Sequence, residues 1–93
     1  MAIGLLFDGS GVTQAQYEQV LNDVTANGTR QVPGMLTHHA GPTDGGFCVV
    51  ETWESQEALQ DFFEQHLGQA LAAAGIQVQP KFFEIVNSVV AGG

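Results

Sequence analysis

The stretch Gly46-Phe47-Cys48-Val49-Val50-Glu51-Thr52-Trp53-Glu54-Ser55-Gln56-Glu57-Ala58-Leu59-Gln60-Asp61-Phe62-Phe63 decides how the rest of the chain is read. Its first half is rich in β-branched and aromatic residues and reads as a strand over 46–53. Ser55 then stands where a helix N-cap is needed, with Glu54 and Glu57 placed to favour the helix dipole. The apolar stripe Leu59, Phe62, Phe63, Leu67, Ala70, Leu71 and Ala74 carries a helix over 56–74. Gly68 falls inside it at a cost of about 1 kcal/mol relative to alanine and marks a bend, and Gly75 ends it.

Working outward, Gly41-Pro42-Thr43-Asp44-Gly45-Gly46 is a turn signal between two strand-like runs. Residues 34–41 and 46–53 therefore form an antiparallel hairpin. Residues 2–7 are a further short apolar strand, closed by Asp8-Gly9-Ser10-Gly11. Thr13-Gln14-Ala15-Gln16 has the capping-box pattern, in which Thr13 and Gln16 satisfy each other's orphan amides. Tyr17, Val20, Leu21 and Val24 come next at helical spacing, and Asn27-Gly28 stops that helix. After Pro80, residues 81–90 read as a last strand. The order is βαββαβ: one α+β, ferredoxin-like domain over 1–93, with a four-stranded antiparallel sheet and two helices on one face.

Strand residues of both parities are apolar, as in Leu5/Leu6, Val49/Val50, Phe82/Phe83, Ile85/Val86 and Val89/Val90. A sheet that is apolar on both faces needs a layer on each. The helices supply one layer, and a second copy of the chain is the expected other. The same inference comes from a 93-residue chain in which 44% of residues are hydrophobic and six are Phe.

Ten acidic residues stand against two basic ones, Arg30 and Lys81, for a net charge of −8. A nucleic-acid partner needs a basic footprint that this chain lacks, and an anionic membrane surface is disfavoured for the same reason. There is no Gly-rich phosphate loop and almost no cation to clamp an anion, so the expected partner is neutral, aromatic or cationic, and an apolar or aromatic small molecule is the ligand expected. Cys48 is the one cysteine, which excludes an intrachain disulfide. The N-terminal apolar run lacks a basic start and is short for a signal or a membrane span, so a cytoplasmic location is expected.

The stretch 46–63, with Pro33-Gly34-Met35 and the whole element order, resembles the dimeric α/β-barrel superfamily. The nearest likeness is to the antibiotic-biosynthesis monooxygenase-like proteins, and its most specific piece is the Trp53-Glu54-Ser55 junction. The resemblance implies two sheets facing each other across a dimer, with the helices outside and a pocket between helices and sheet in each subunit. The superfamily holds oxygenases without cofactors, haem-degrading enzymes, isomerases, decarboxylases and proteins without known activity, so function has to be argued from the site.

For a base, the expectations are His66, at the edge of the second helix's apolar stripe, and His38 or His39. The last two are adjacent on a strand and point to opposite faces. By simple alternation Met35, Thr37 and His39 share one face and Leu36, His38 and Ala40 the other. Trp53 and Tyr17 are candidates to stack on and orient a ring, with Phe62 and Phe63 beside them, and Asn87 to bond a developing oxyanion. Glu51 and Glu84 are expected at solvent or at a dimer edge. No metal site is expected, and neither a nucleophile elbow nor a Ser/His/Asp arrangement is legible. These residues suit a cofactor-free monooxygenase acting on an aromatic, polyketide-like polycycle: a base removes a proton and the carbanion reacts with oxygen directly. The alternatives are a non-catalytic dimeric binding protein of the same fold, a cyclase or isomerase on similar rings, and a haem-degrading enzyme. The last would have only Arg30 and Lys81 to meet the propionates.

Overall fold

In the computed structural model, which describes residues 1–77 and 79–90, the strands stand in the order β2-β3-β1-β4, all antiparallel. They are β1 (Ile3–Ser10), β2 (Met35–Thr43), β3 (Gly46–Trp53) and β4 (Lys81–Glu84). The helices are α1 (Gln14–Val24), α2 (Gln56–Phe62) and α3 (Gly68–Ala73), with one π-helical turn, Phe63–Leu67, joining the last two. The fold is the ferredoxin-like α+β arrangement expected from the element order. No helix among the described residues is long and apolar enough to cross a membrane.

Both helix starts are chemically specified. Thr13 Oγ1 accepts from the Gln16 amide at 3.1 Å, and Gln16 Oε1 accepts from the Thr13 amide at 2.9 Å, which completes the capping box. Ser55 Oγ accepts from the Ala58 amide at 3.1 Å. The two helical segments meet where Gln16 Nε2 donates to the Ala74 carbonyl at 3.1 Å. The expected continuous helix 56–74 is interrupted: the Gly68 amide donates to the carbonyl of Phe63, five residues back. A Cβ at Gly68 would stand 3.2 Å from that carbonyl oxygen, so a larger residue there would require the π turn to give by a few tenths of an ångström.

Strand limits differ from the sequence reading at three places. The first strand runs to Ser10 rather than residue 7, because β3 continues to Gly46 and pairs with it residue for residue. The hairpin strand β2 runs through Pro42 to Thr43, leaving Asp44-Gly45 as the whole turn, with Gly45 at φ +82°. Pro42 is compatible with a strand there because β2 is at the sheet edge. The last strand ends at Glu84, not residue 90, for want of a partner. Glu84 pairs with Ile3, the first residue of β1, and one more bond, Ile85 N–H to the Ala2 carbonyl, uses up that edge.

Register sorts the side chains. Leu5 and Phe7 of β1 and Phe47, Val49, Glu51 and Trp53 of β3 face the helices. The apolar ones among them pack with Val20, Val24, Leu59, Phe62, Ala70 and Ile76 into the core. The other face carries Leu6, Cys48, Val50 and Thr52, with Phe83 lying over Gly4. In β2 the pairing slips between Met35 and Thr37. This bulge at Leu36 corrects the parity read from the sequence. Met35 opposes Trp53 and His38 opposes Glu51, both on the helix side, while Thr37 and His39 oppose Thr52 and Val50 on the outer face.

Candidate active site

Between the helices and the sheet the core is hollow. The chamber has a volume of about 310 Å³, at the small end of the range for ligand pockets. Its wall is apolar, with Leu5, Phe7, Phe47 and Val49 from the sheet and Val20, Leu71 and others from the helices. Tyr17, Thr25, His38 and Glu51 are the polar residues among the described ones that line it, and three of these four are bonded to one another.

His38 reaches this place because of the bulge, Tyr17 because it opens the second turn of α1, and Glu51 because it shares parity with Trp53 on β3. Tyr17 Oη lies 2.7 Å from His38 Nε2, and His38 Nδ1 lies 2.6 Å from Glu51 Oε2. The other carboxylate oxygen of Glu51 accepts from Trp53 Nε1–H at 3.0 Å. The Tyr17 ring is stacked against His38 at 6.0 Å and against Phe47 at 4.8 Å between centroids. The polar groups thus form one continuous relay at one pole of an apolar chamber.

Its direction is set by donor chemistry. An indole N–H only donates and a carboxylate only accepts. Glu51 therefore receives from both Trp53 and His38 Nδ1–H. A neutral imidazole that donates at Nδ1 accepts at Nε2, so the Tyr17 hydroxyl donates to His38. Glu51 holds the tautomer in which Nε2 is the basic nitrogen, as carboxylates beside catalytic imidazoles do. Burial holds the Tyr17 phenol above its ordinary pKa of 10.0, and the negative charge of Glu51 adds to this. A tyrosinate is disfavoured and the relay keeps its proton on oxygen.

The other expected residues fall elsewhere. His66 lies in the π turn, its ring 5.7 Å from that of Phe62. It lines a second recess of about 400 Å³ with Arg30, Glu54 and Asp61, not the chamber. Phe62 lines both spaces and is the partition between them. Phe63 lines neither among the described residues. His39 is exposed on the far face of the sheet. Trp53 is fully buried behind the chamber wall, bonded to Glu51 and with its ring 5.5 Å from that of Phe62. Asn87 lies beyond the end of β4, exposed. The residue missed in the sequence is Glu51: expected at solvent or a dimer edge, it is 7% exposed and on the helix side. The missing signal was parity, since it stands two residues from Trp53 and four from Phe47.

Comparison with known proteins agrees with this architecture. The sequence profile described as antibiotic biosynthesis monooxygenase matches residues 12–74. Among solved structures, a Caulobacter crescentus CB15 protein named for the same family superposes with a TM-score of 0.69 at 23% identity, over 92% of this chain and 91% of that one. SnoaB, a cofactor-independent oxygenase from Streptomyces nogalater, gives 0.66 at 14% identity over 95% of each chain. The haem-degrading protein Rv3592 of Mycobacterium tuberculosis gives 0.60 at 21% identity over 97% of this chain and all of that one. No curated protein matches the chain in sequence.

Proposed function

The chain belongs to the antibiotic biosynthesis monooxygenase family, and on that premise we propose that it is a cofactor-independent monooxygenase acting on a compact aromatic polycycle, with His38 as the base. The observation that carries the reading is the Tyr17–His38–Glu51 relay in the wall of the apolar chamber. The cofactor-independent oxygenase SnoaB has the same fold. The described wall residues include no Lys or Arg, which favours a neutral ring system over the propionates of haem.

The chemistry needs an acidic hydrogen on the substrate, as in an anthrone or its enol. The proton passes to His38, whose imidazolium is stabilised by Glu51, and leaves an anion delocalised over the ring carbon and oxygen. That carbanion transfers an electron to O₂, and the two radicals combine to form a C–O bond. The proton returned from His38 gives a hydroperoxide. Loss of the remaining carbon-bound hydrogen with cleavage of the O–O bond yields the carbonyl and one water. The four electrons that reduce O₂ all come from the substrate carbon. The protein binds the ring, holds the proton and excludes water.

The sheet face opposite the helices is the proposed seat of a homodimer. Phe83 is 51% exposed, Val50 42% and Leu6 37% on that face, and neighbouring exposed apolar side chains support a partner layer.

The test is oxygen uptake by chelator-treated protein with anthrone, comparing wild type with His38→Ala and His66→Ala. Uptake is expected to survive chelation, to fall about 10²–10⁴-fold in His38→Ala, and to be unchanged in His66→Ala. A loss confined to His66→Ala moves the chemistry to the second recess. Binding without uptake leaves a binding protein, or a cyclase or isomerase, on the same chamber.

A further inference from the structure

Among the described residues, each side-chain donor on the chamber wall is already committed. The Tyr17 hydroxyl donates to His38 Nε2 and His38 Nδ1–H to Glu51. Thr25 Oγ1 donates to the Leu21 carbonyl at 2.6 Å and accepts from the Gly28 amide at 3.1 Å. Glu51 has both oxygens engaged, one by His38 and one by Trp53. What remains for a ligand is acceptor capacity, chiefly the two lone pairs of the Tyr17 oxygen. A hydroxyl has one hydrogen and two acceptor lone pairs, and here the hydrogen is spent inside the protein.

We propose that the relay Trp53–Glu51–His38–Tyr17 makes the chamber selective for ligands that bring their own hydrogen-bond donor. Such a ligand is a phenol, or the enol of an aromatic ketone. Ligands offering only an acceptor are rejected, and Glu51 is the positioning residue that sets this polarity. The inference rests on the chamber being the ligand site. An anthrone-type substrate then binds as its enol, hydroxyl first against Tyr17. Its O–H proton moves to the Tyr17 oxygen as the Tyr17 proton moves to His38 Nε2. The anion that results is the same one that loss of the carbon-bound proton of the ketone would give.

Trp53 makes the role of Glu51 separable from mere packing. In Glu51→Gln the amide has one acceptor and one donor end. The indole N–H of Trp53 takes the acceptor end, so the NH₂ faces His38 Nδ1. His38 must then accept at Nδ1 and carry its proton on Nε2, where it donates to Tyr17. The Tyr17 hydrogen is released into the chamber, and the wall changes from acceptor to donor with almost no change in shape.

The experiment is anaerobic calorimetric titration with three probes of similar size: 2-naphthol, 2-methoxynaphthalene and 1-tetralone. Working without oxygen separates binding from turnover. Wild type is expected to bind naphthol about ten- to a hundredfold more tightly than the ether or the ketone, the penalty for leaving a buried acceptor unpaired. Glu51→Gln is expected to bring this ratio to parity or reverse it, with tetralone gaining. Equal binding of all three by wild type overturns the polarity and leaves the chamber as the site. Naphthol preference that persists unchanged in a folded Glu51→Gln overturns the role of Glu51. Failure of every probe to bind overturns the inference and the chamber reading together. If Glu51→Gln does not fold, the wild-type ratio decides the polarity. Tyr17→Phe, which leaves the Trp53–Glu51–His38 bonds in place and uncovers the accepting Nε2 of His38, is then expected to keep the naphthol preference, and a preference for tetralone in that variant overturns the tautomer assigned to Glu51.

Discussion

Replacing Glu51 with alanine removes the acceptor for two donors at once, and the two differ in how well water can take its place. Trp53 is fully buried, so its orphaned Nε1–H carries a penalty of about 1–3 kcal/mol. The His38 side chain is 28% exposed, and rehydration reduces its share to about 0.5–1 kcal/mol. The expected loss is about 2–4 kcal/mol. In a domain of this size that lowers Tm by roughly 8–32 °C, at about 4–8 °C per kcal/mol. The same substitution in a Trp53→Phe background no longer strands an indole N–H. The double variant should therefore be more stable than the sum of the single losses by about 1–2 kcal/mol. Urea melts of the four proteins followed by far-UV circular dichroism measure this coupling, since the one tryptophan of the chain is itself changed. A coupling below about 0.5 kcal/mol, within the usual scatter of independent sites, would mean that chamber water satisfies Trp53. Glu51 would then not be held by the indole.

Tyr17 is the one tyrosine, so tyrosinate absorbance reports it alone. Its midpoint is expected above 10.0, and Glu51→Ala should move it down toward that value. Because the folded pKa is the higher one, the native state binds the extra proton. That contribution to stability is full below pH 10.0 and is lost as pH rises through the folded pKa. Gly34→Ala meets two obstacles, a φ of +88° and the Cβ of Ala58 at 2.5 Å from the added carbon. Left-handed strain of about 1–2 kcal/mol and overpacking of about 1–3 kcal/mol predict a loss of about 2–5 kcal/mol by chemical denaturation. Val50→Asp places a charge in the middle of the bare sheet face and should convert a dimer to monomer in sedimentation velocity without loss of helical signal. Unchanged mass would argue against that face as the interface.

Local chemistry specifies the elements of this protein. Thr13 and Gln16 cap the helix on their C-terminal side, Ser55 with the stripe from Leu59 onward can make only a helix, and Asp44-Gly45 can hardly be anything but a turn. These signals lie within a few residues of one another, so the βαββαβ order was legible. The site was not, because its geometry depends on relations between distant strands. A bulge at Leu36 is a property of how β2 pairs with β3, and it alone turns His38 toward the helices beside Met35. Glu51 looks like a surface carboxylate until Trp53 and His38 arrive on either side of it. His66 sits at the right helical spacing for the chamber, yet a π turn closed at Gly68 accompanies its placement in another recess. The end of β4 was set by its neighbour, since β1 starts at Ile3 and a strand extends only as far as it has a partner. The sequence by itself determined which segments are strands and helices, through contacts a few residues long. Which polar side chains meet inside was decided only by register, bulge and helix phase in the folded sheet.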